Sequence, residues 1–165
     1  MRQYRYTVDG DGRIFHEGSE IIDPAVLRFF ARAMQQAPDG RHLVMCQGEQ
    51  NWFEASDTPL VVLRVRLEIG ERGLVRIDLV LAGEHLEPLD PGTLETEGDR
   101  LYCRIRRGTL RARFGRVALQ QLGRFLAEAE GGPALILGDV AHPIRVPARS
   151  IAPAPPGGST AGEPP

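Results

Sequence analysis

The chain has 165 residues and a formal net charge of −2. A charge this close to neutral gives no overall electrostatic attraction to nucleic acid or to an acidic membrane surface. Apolar runs such as residues 60–63 are far shorter than the roughly 20 residues of a membrane-spanning helix, and residues 1–6 lack the apolar core of a signal peptide. Composition therefore predicts a cytoplasmic protein that does not bind membranes.

All 20 basic residues are arginine. Arginine presents a planar group that binds carboxylate or phosphate through two hydrogen bonds, and a chain without lysine cannot form a lysine Schiff base. The two cysteines, Cys46 and Cys103, are fewer and farther apart than in the usual disulfide framework of a secreted domain. We therefore predict two free thiols.

The first half of the chain predicts short strands and one helix. Residues 4–8 and 13–16 read as strands joined by the turn at residues 9–12, which lacks the further acidic ligands of a calcium loop. Residues 23–36 predict an amphipathic helix capped by Asp23. Its predicted apolar stripe consists of Val26, Leu27, Phe30, Ala33 and Met34. Residues 41–46 predict a strand, and the polar segment 46–59 predicts a hairpin connection, a short strand and a proline turn.

The second half predicts two hairpins and a second helix. The first hairpin joins residues 59–69 to residues 74–82, and its alternation predicts an apolar face of Leu63, Val65, Leu67, Ile69, Val75, Ile77, Leu79 and Leu81. Residues 83–99 predict an exposed, turn-rich connector. The second hairpin covers residues 101–114 and turns near Arg107 and Gly108. Residues 116–130 predict a helix, and residues 133–138 and 142–146 predict strands.

These elements predict an α+β fold with antiparallel sheets and two amphipathic helices, forming one domain over residues 1–147. Residues 12–47 and 99–138 share the order strand, glycine turn, strand, helix, strand, which predicts two related β-β-α-β halves. Residues 148–165 are rich in proline, glycine and alanine and predict a disordered tail, because they cannot bury enough apolar surface to offset their ordering entropy.

Six short segments of the chain carry a family resemblance. They are YTVDGDGRIF, DPAVLRFF, CQGEQN, DTPLV, LEPLDPGTL and DRLYC, and they resemble UPF0598, or domain of unknown function 4505, over residues 4–120. This resemblance implies no activity, cofactor or catalytic residue, and Cys103 stands where that family carries a histidine. The order G-x-x-I, helix, D-G, D-x-P is also similar to domain of unknown function 1285. That similarity implies an α+β fold with internal repeats and a role in signalling.

A catalytic thiol is the alternative function. Cys46 could act as a nucleophile with His16, His42 or His85 as its base and Glu49 or Asp57 as the group that orients the base. No flanking motif supports this thiol-dependent or hydrolase-like enzyme, and a cysteine near the end of an apolar strand is more often a core residue.

A metal site also lacks a suitable spacing. His42 and Cys46 would lie about 13 Å apart along a strand, which is too far for both to hold one zinc ion. The sequence therefore predicts no metal and no cofactor.

A row of arginines is the strongest functional pattern. Arg104, Arg106, Arg111 and Arg113 alternate with apolar residues on the second hairpin, so we expect them to share one face. With Arg116 nearby, they could bind phosphate or carboxylate oxygens through paired hydrogen bonds. The alternative is a solvated face balanced by the acids of residues 84–99.

Three further residues complete the predicted site. Glu49, Asn51 and Asp57 are expected to shape one edge, between the two halves of the domain. Nucleic acid is disfavoured because aromatic stacking residues are missing around the arginines. The sequence therefore predicts a non-catalytic binding or regulatory module for an anionic small molecule or a protein partner.

Overall fold

Sheet A forms around a pairing between two strands that are distant in the sequence. The computed structural model describes residues 1–147, so the predicted tail at 148–165 lies outside the described residues. Strand β1 (Gln3–Val8) is antiparallel to β2 (Ile14–His16) on one side and parallel to β6 (Glu49–Ala55) on the other. The remaining strands are β3 (Ser19–Glu20), β4 (Gln35–Gln36) and β5 (His42–Cys46), and the spatial order is β3-β2-β1-β6-β5-β4.

Two of the hairpins of sheet A flank strands β1 and β6, and each is closed by a tight turn. Between β1 and β2, Asp9 Oδ1 accepts hydrogen bonds from the backbone nitrogens of Asp11 at 3.0 Å and Arg13 at 2.9 Å. Between β5 and β6, Gln47 and Gly48 have φ values of 49° and 78°, as a two-residue type I′ turn requires. The prediction that CQGEQN is a hairpin connection is therefore confirmed.

Three smaller sheets complete the structure. Sheet B contains, in spatial order, β11 (Glu95–Glu97), β12 (Arg100–Ile105), β13 (Leu110–Phe114) and β7 (Val61–Val62), and the last pair is parallel. Sheet C contains β10 (His85–Pro88), β9 (Gly73–Leu81) and β8 (Arg64–Gly70). Sheet D contains β14 (Leu126–Ala129), β15 (Gly132–Leu137) and β16 (Val140–Pro143). The predicted class of mostly antiparallel sheets with two helices is confirmed.

Helix α1 (Pro24–Ala33) begins at the predicted cap and lies on one face of sheet A. Asp23 Oδ1 accepts hydrogen bonds from the backbone nitrogens of Ala25 at 2.8 Å and Val26 at 3.4 Å. Near its other end, the Phe30 ring lies 5.0 Å from the rings of both Tyr6 and Phe53, edge to face. We call this face of sheet A, which carries Tyr6 and Phe53, the inner face.

Helix α2 (Arg116–Leu122) is short and is tied to sheet C. It buries Ala118 and Leu122, and the Gln121 side chain accepts a 2.8 Å hydrogen bond from the backbone nitrogen of Val65. No helix within residues 1–147 combines the length and the apolar content needed to cross a bilayer.

A continuous apolar core joins all four sheets and both helices. Its most deeply buried side chains include Val44 in sheet A, Phe114 in sheet B, Leu79 in sheet C and Leu135 in sheet D. Cys103, which projects from β12 into this core, is fully buried.

The hairpin of sheet C departs from the predicted alternation, most clearly at a bulge in β9. Glu68 pairs with Arg76 but Ile69 pairs with Leu74, so a bulge leaves Val75 without an opposite residue. Because the side chains of a strand alternate, one extra residue reverses which of them point inward. Leu74 is therefore buried and Val75 is 59% exposed, contrary to the prediction. Leu63 and Ile69 of the predicted apolar face are also exposed.

Three predicted segments were assigned wrongly. The helix predicted over residues 23–36 ends at Ala33, because Gln35 and Gln36 pair with β5 as strand β4. Residues 83–99 contain the strands β10 and β11, which pair with β9 and β12 and are not just a connector. The helix predicted over residues 116–130 ends at Leu122 and is followed by a 3-10 turn (Gly123–Phe125) and β14. Gly123 is a poor helix former, and pairing with β15 satisfies the backbone of the residues that follow it.

The two predicted halves have the same order of elements, but their strands do not lie in one shared sheet. Residues 12–47 contain β2, β3, α1, β4 and β5, and residues 99–138 contain β12, β13, α2, β14 and β15. The first set of strands lies in sheet A, whereas the second set is divided between sheets B and D. The duplication stays a prediction.

Candidate functional site

The predicted site residues lie in separate places. Glu49 and Asn51 line a cleft beside helix α1, Asp57 and Arg113 line a small polar cavity, and Arg104 and Arg106 line a groove at the β12–β13 turn. Arg111 projects from β13 towards the edge strand β11, where it meets Glu95 and Glu97. The residues therefore do not surround one pocket.

The predicted alternation of the second hairpin is present. Cys103 pairs with Ala112 and Ile105 with Leu110, and all four are buried. Arg104 pairs with Arg111 and Tyr102 with Arg113, so these side chains share the opposite face. Arg104, Arg111 and Arg113 thus share one side of the strand pair, as the sequence pattern indicates, whereas Arg106 lies beyond β12 in the turn, with a φ of 49° that interrupts the alternation.

Arg111 is already engaged by acidic and aromatic partners. Its Nε lies 3.1 Å from Glu95 Oε1, one of its terminal nitrogens lies 2.7 Å from Glu97 Oε2, and the centre of its guanidinium lies 3.6 Å from the centroid of the Tyr102 ring. Glu95 also accepts a hydrogen bond from Arg145, and mainly for this reason its pKa is lowered. This half of the arginine face is balanced by carboxylates.

Arg106 anchors the turn of the second hairpin to helix α1. Its guanidinium donates to the backbone carbonyl oxygens of Ala31 and Met34 at the end of the helix, and its Nε lies 3.2 Å from Glu87 Oε1. A cation at this position satisfies carbonyl groups that have no partner within the helix and complements the negative end of the helix dipole. Arg106 therefore has a structural role in joining the two elements.

Arg113 and Asp57 meet in a polar cavity of about 80 Å³. Asp57 Oδ2 lies 3.4 Å from Arg113 Nε and accepts hydrogen bonds from the Tyr102 hydroxyl at 2.7 Å and from Arg100 at 3.2 Å. Burial, and then the bond to Asp57, raise the pKa of Tyr102. Arg113 also donates to the carbonyl oxygen of Gly10 in the β1–β2 turn. These contacts hold the loops after β1 and β6 against sheet B.

Arg104 and Arg107 are different, because neither makes an ion pair within residues 1–147. They line a groove of about 280 Å³ together with Glu87 and Asp90. Arg107 has a φ of 55° in the turn, so its side chain projects from a left-handed residue. This groove is the part of the arginine face that retains unneutralised guanidinium groups.

A larger cleft of about 460 Å³ opens between helix α1 and strands β1, β5 and β6. Phe30 and Ala31 are buried against the sheet, whereas Val26 is 38% exposed, so the first turns of the helix leave part of the inner face of sheet A uncovered. The side chains that line the cleft are Tyr4, Tyr6, Ala25, Val26, Phe29, Phe30, Cys46, Glu49 and Asn51.

Strand register places the polar groups of the cleft on the inner face. Tyr4 pairs with Asn51 across the parallel strands, and Cys46 pairs with Glu49 across the hairpin. Asn51 is buried, and its side chain donates a 3.1 Å hydrogen bond to the carbonyl oxygen of Val44. In contrast, the side chains of Tyr4, Cys46 and Glu49 make no hydrogen bond within residues 1–147, so they are available to a ligand.

Tyr6 is held by aromatic contacts. Its ring is stacked 5.1 Å from that of Phe53 and lies 4.8 Å from that of His16. Burial raises the pKa of Tyr6, and the nearby Tyr4, Cys46 and Glu49 raise it further. Tyr6 therefore keeps its proton at neutral pH and offers a hydroxyl group to the cleft.

The fold that carries this cleft occurs in two solved structures. A DUF1285 family protein from Silicibacter pomeroyi DSS-3 has a TM-score of 0.65, covering 86% of this chain and 81% of that chain at 18% sequence identity. A DUF1285 family protein from Shewanella baltica OS155 has a TM-score of 0.56, covering 72% of this chain and 90% of that chain at 16% identity. The fold is that of the DUF1285 proteins.

At these identities the likeness to the DUF1285 proteins shows the fold alone. No family model matches the sequence, and no curated protein matches it significantly. The second similarity found in the sequence therefore predicts the fold correctly, and the resemblance to domain of unknown function 4505 stays a prediction.

In this chain, Cys46 has no histidine as a hydrogen-bond partner among residues 1–147. His42 lies four residues away on the same strand, and Nε2 of His85 lies 3.0 Å from Glu87 in sheet C. His16 places Nδ1 3.0 Å from the carbonyl oxygen of Arg5. No group of three or more potential metal ligands converges within the same residues. The thiol faces the cleft without the base that the alternative enzyme would use.

Sequence reasoning missed the aromatic part of the cleft. Tyr4 and Tyr6 alternate in β1, and Phe29 and Phe30 are adjacent in α1, so both patterns are visible in the sequence. The sequence does not show that β1 pairs with β6. This pairing brings Tyr4 and Tyr6 beside Glu49 and Asn51.

Proposed function

We propose that this protein is a non-catalytic binding or regulatory module and that its ligand is a small molecule bound in the cleft between helix α1 and sheet A. The observation that carries the proposal is the composition of the cleft: four aromatic side chains, Tyr4, Tyr6, Phe29 and Phe30, line it together with Cys46 and Glu49, whose side chains make no hydrogen bond within residues 1–147. Ligand sites in proteins are typically apolar concavities of this size with a few polar groups that fix orientation.

An anionic ligand, as predicted from the arginine pattern, is a second candidate at a different place. Arg106, Arg111 and Arg113 each contact a carboxylate, which weakens the field of the arginine face. The groove beside Arg104 and Arg107 is the region that favours this candidate, since these side chains form no ion pair within residues 1–147. The nearby Glu87 and Asp90 oppose it.

Two further parts of the proposal concern origin and location. We include a duplicated β-β-α-β unit, which the recurring order of elements in residues 12–47 and 99–138 supports. We also include a cytoplasmic location, with which two free cysteines are consistent. If the ligand is a protein instead of a small molecule, substitutions outside the cleft should also change the binding affinity.

A thermal-shift screen tests the proposed site. Compounds of cationic, neutral and anionic classes are added to the wild-type protein and to Val26→Trp, in which a large side chain at the rim fills the cleft. A ligand that binds only the native state raises the melting temperature by mass action. We expect hits with the wild-type protein that are lost in Val26→Trp.

The matched control is Val75→Trp, which adds the same side chain at an exposed position of sheet C. This variant is expected to keep every hit. Hits that survive Val26→Trp but are lost in Arg104→Ala would move the site to the groove, and a screen without hits would count against a small-molecule binding module.

A further inference from the structure

We propose that the cleft selects an organic cation, meaning a ligand with an ammonium group attached to an apolar body. This inference rests on the proposed function and specifies its ligand. The first argument is charge. Among the nine side chains that line the cleft, Glu49 carries the single carboxylate and none is basic, although the chain has 20 arginines. A carboxylate without a partner in a partly enclosed apolar site attracts a positive ligand and repels an anion.

Aromatic surface supplies the second argument. Ring faces attract ammonium groups, and the cages that bind quaternary ammonium ligands are built from several aromatic side chains. Both ring faces of Tyr6 are near other rings, those of Phe53 and His16, so Tyr6 contributes mainly its hydroxyl group. Tyr4 and Phe29 are only half-buried at the cleft and provide ring surface next to Glu49.

The start of helix α1 could favour an anion instead, because free backbone N–H groups gather there. Ala25 and Val26, which border the cleft, belong to this first turn. Their N–H groups are already bonded to the Asp23 carboxylate, which also carries a negative charge. The helix end therefore adds no open anion site.

Two basic side chains of the neighbouring elements, Arg28 and Arg5, point away from the cleft. Arg28 of helix α1 donates through Nε to the carbonyl oxygen of Gly83 at 2.8 Å, outside the cleft. Arg5 alternates with Tyr4 and Tyr6 along β1 and so lies on the opposite face of sheet A. Arg2 precedes β1 and continues the alternation of Tyr4 and Tyr6, with its carbonyl oxygen bonded to the backbone nitrogen of Gln50, but its side chain is exposed and does not line the cleft. Glu49 forms no ion pair within residues 1–147, and a ligand ammonium group would supply one.

A titration with three isosteric probes tests this inference. Choline carries a quaternary ammonium, 3,3-dimethylbutan-1-ol replaces that nitrogen by carbon, and 3,3-dimethylbutanoate adds a negative charge to the same neutral body. Binding is followed by the backbone amide NMR signals of Tyr4, Cys46 and Glu49, with benzyltrimethylammonium as a larger cation. We expect the cations to bind roughly tenfold more tightly than the neutral probe, as expected for an ion pair combined with ring contacts.

Two variants of strand β6 separate charge from structure. Glu49→Gln keeps the shape of the side chain, and we expect it to reduce cation affinity to the level of the neutral probe. Glu54→Gln changes a carboxylate on the exposed, opposite face of the same strand and should leave affinity unchanged. The amide spectrum of each variant reports whether it is folded.

Two results would overturn the inference. If the neutral or anionic probe shifts the same cleft signals with equal or higher affinity, the cleft is a ligand site but does not select cations, and the proposed function stands. If neither cation shifts these signals at millimolar concentration, cation selection is wrong, and the library screen with Val26→Trp decides separately whether the cleft binds another ligand.

Discussion

Gly83 lies directly against the backbone of Arg28 in helix α1. Its carbonyl oxygen accepts a 2.8 Å hydrogen bond from Arg28 Nε, its φ is 66°, and a Cβ atom on Gly83 would lie 2.6 Å from the carbonyl oxygen of Pro24. This contact fixes the first half of helix α1, which forms one wall of the cleft.

We expect Gly83→Ala to destabilise the protein by about 3 kcal/mol or more, because the new methyl group collides with helix backbone in addition to the strain of positive φ. The matched control is Gly108→Ala. Gly108 has a φ of 85°, but a Cβ atom there meets no atom within 4 Å, so the expected cost is about 1 kcal/mol. Urea denaturation of both variants measures the difference, and equal losses would contradict the close approach.

The contact between Arg106 and the end of helix α1 gives a second prediction. Arg106→Ala leaves the carbonyl groups of Ala31 and Met34 without this donor and Glu87 without this cation. We expect a loss of about 2–4 kcal/mol in the free energy of unfolding. Arg106→Lys should recover only part of it, because one ammonium group cannot reproduce the planar set of donors.

The control for this prediction is Arg104→Ala. Arg104 is an exposed neighbour whose side chain has no hydrogen-bond or ion-pair partner within residues 1–147, so its loss should cost less than about 0.5 kcal/mol. Chemical denaturation monitored by circular dichroism compares the variants. A cost for Arg106→Ala as small as that of Arg104→Ala would show that the bonds to the helix do not stabilise the fold.

The ion pairs of Glu95 predict that the stability of the protein depends on pH. The hydrogen bond from Arg145 is the largest cause that lowers its pKa below the ordinary value of 4.5, with further lowering from Arg111. A carboxyl group whose pKa is lower in the folded state stabilises the protein above its unfolded pKa and loses that contribution as the pH falls through the folded pKa. Stability should therefore decrease as the pH drops below about 5.

Glu95→Gln isolates this effect. We expect this variant to be less stable than wild type at neutral pH. The difference in melting temperature between the two proteins should shrink as the pH falls through the acid range, because the wild-type carboxyl group then becomes neutral as well. Glu97→Gln, which removes the exposed partner of Arg111, should lower stability only slightly at any pH. Melting temperatures measured across this pH range would contradict the prediction if the Glu95→Gln gap stayed constant.

The two thiols should react very differently. Burial raises the pKa of Cys103 to about 12, so this thiol is both inaccessible and protonated in the native protein. Cys46 is half-buried in the wall of the cleft. We expect iodoacetamide to modify Cys46 alone in the native state and both cysteines in denaturant, as read by mass spectrometry of peptides.

A ligand in the cleft should slow the modification of Cys46, and Cys46→Ser should abolish native labelling. Fast labelling of Cys103 without denaturant would contradict the burial of β12 in the core. A Cys46 that reacts far faster than an ordinary thiol would instead support the thiol-dependent enzyme as the alternative function.

Local signals account for the parts of the fold that the sequence predicted correctly. The turn around Asp9, the cap at Asp23 and the hairpin connection in CQGEQN are all set by residues within a few positions of one another. The alternation of apolar residues with arginines in β12 and β13 likewise predicted which face of the strand pair is buried and which carries arginines. In each case short-range sterics or hydrogen bonds decide the structure.

Long-range pairing explains what could not be predicted. Gln3 pairs with Gln50 in the parallel contact between β1 and β6, and no local pattern specifies that partner. The partners of the arginines are also distant, since Arg106 meets Met34 and Arg113 meets Asp57. The sequence could show that arginines share a face, but not that carboxylates already pair with Arg106, Arg111 and Arg113 or that helix carbonyls accept hydrogen bonds from Arg106.

The parallel pairing of β1 with β6 also has a kinetic consequence. Because residues 3–8 must meet residues 50–55, sheet A closes only after a loop of more than 40 residues has lost its freedom, and this entropy is lost before the new contacts compensate for it. The hairpins of sheets B and C need only short turns. Refolding should therefore begin in those hairpins, with the parallel pairings of β1 with β6 and of β7 with β13 as the slow events that complete the native state.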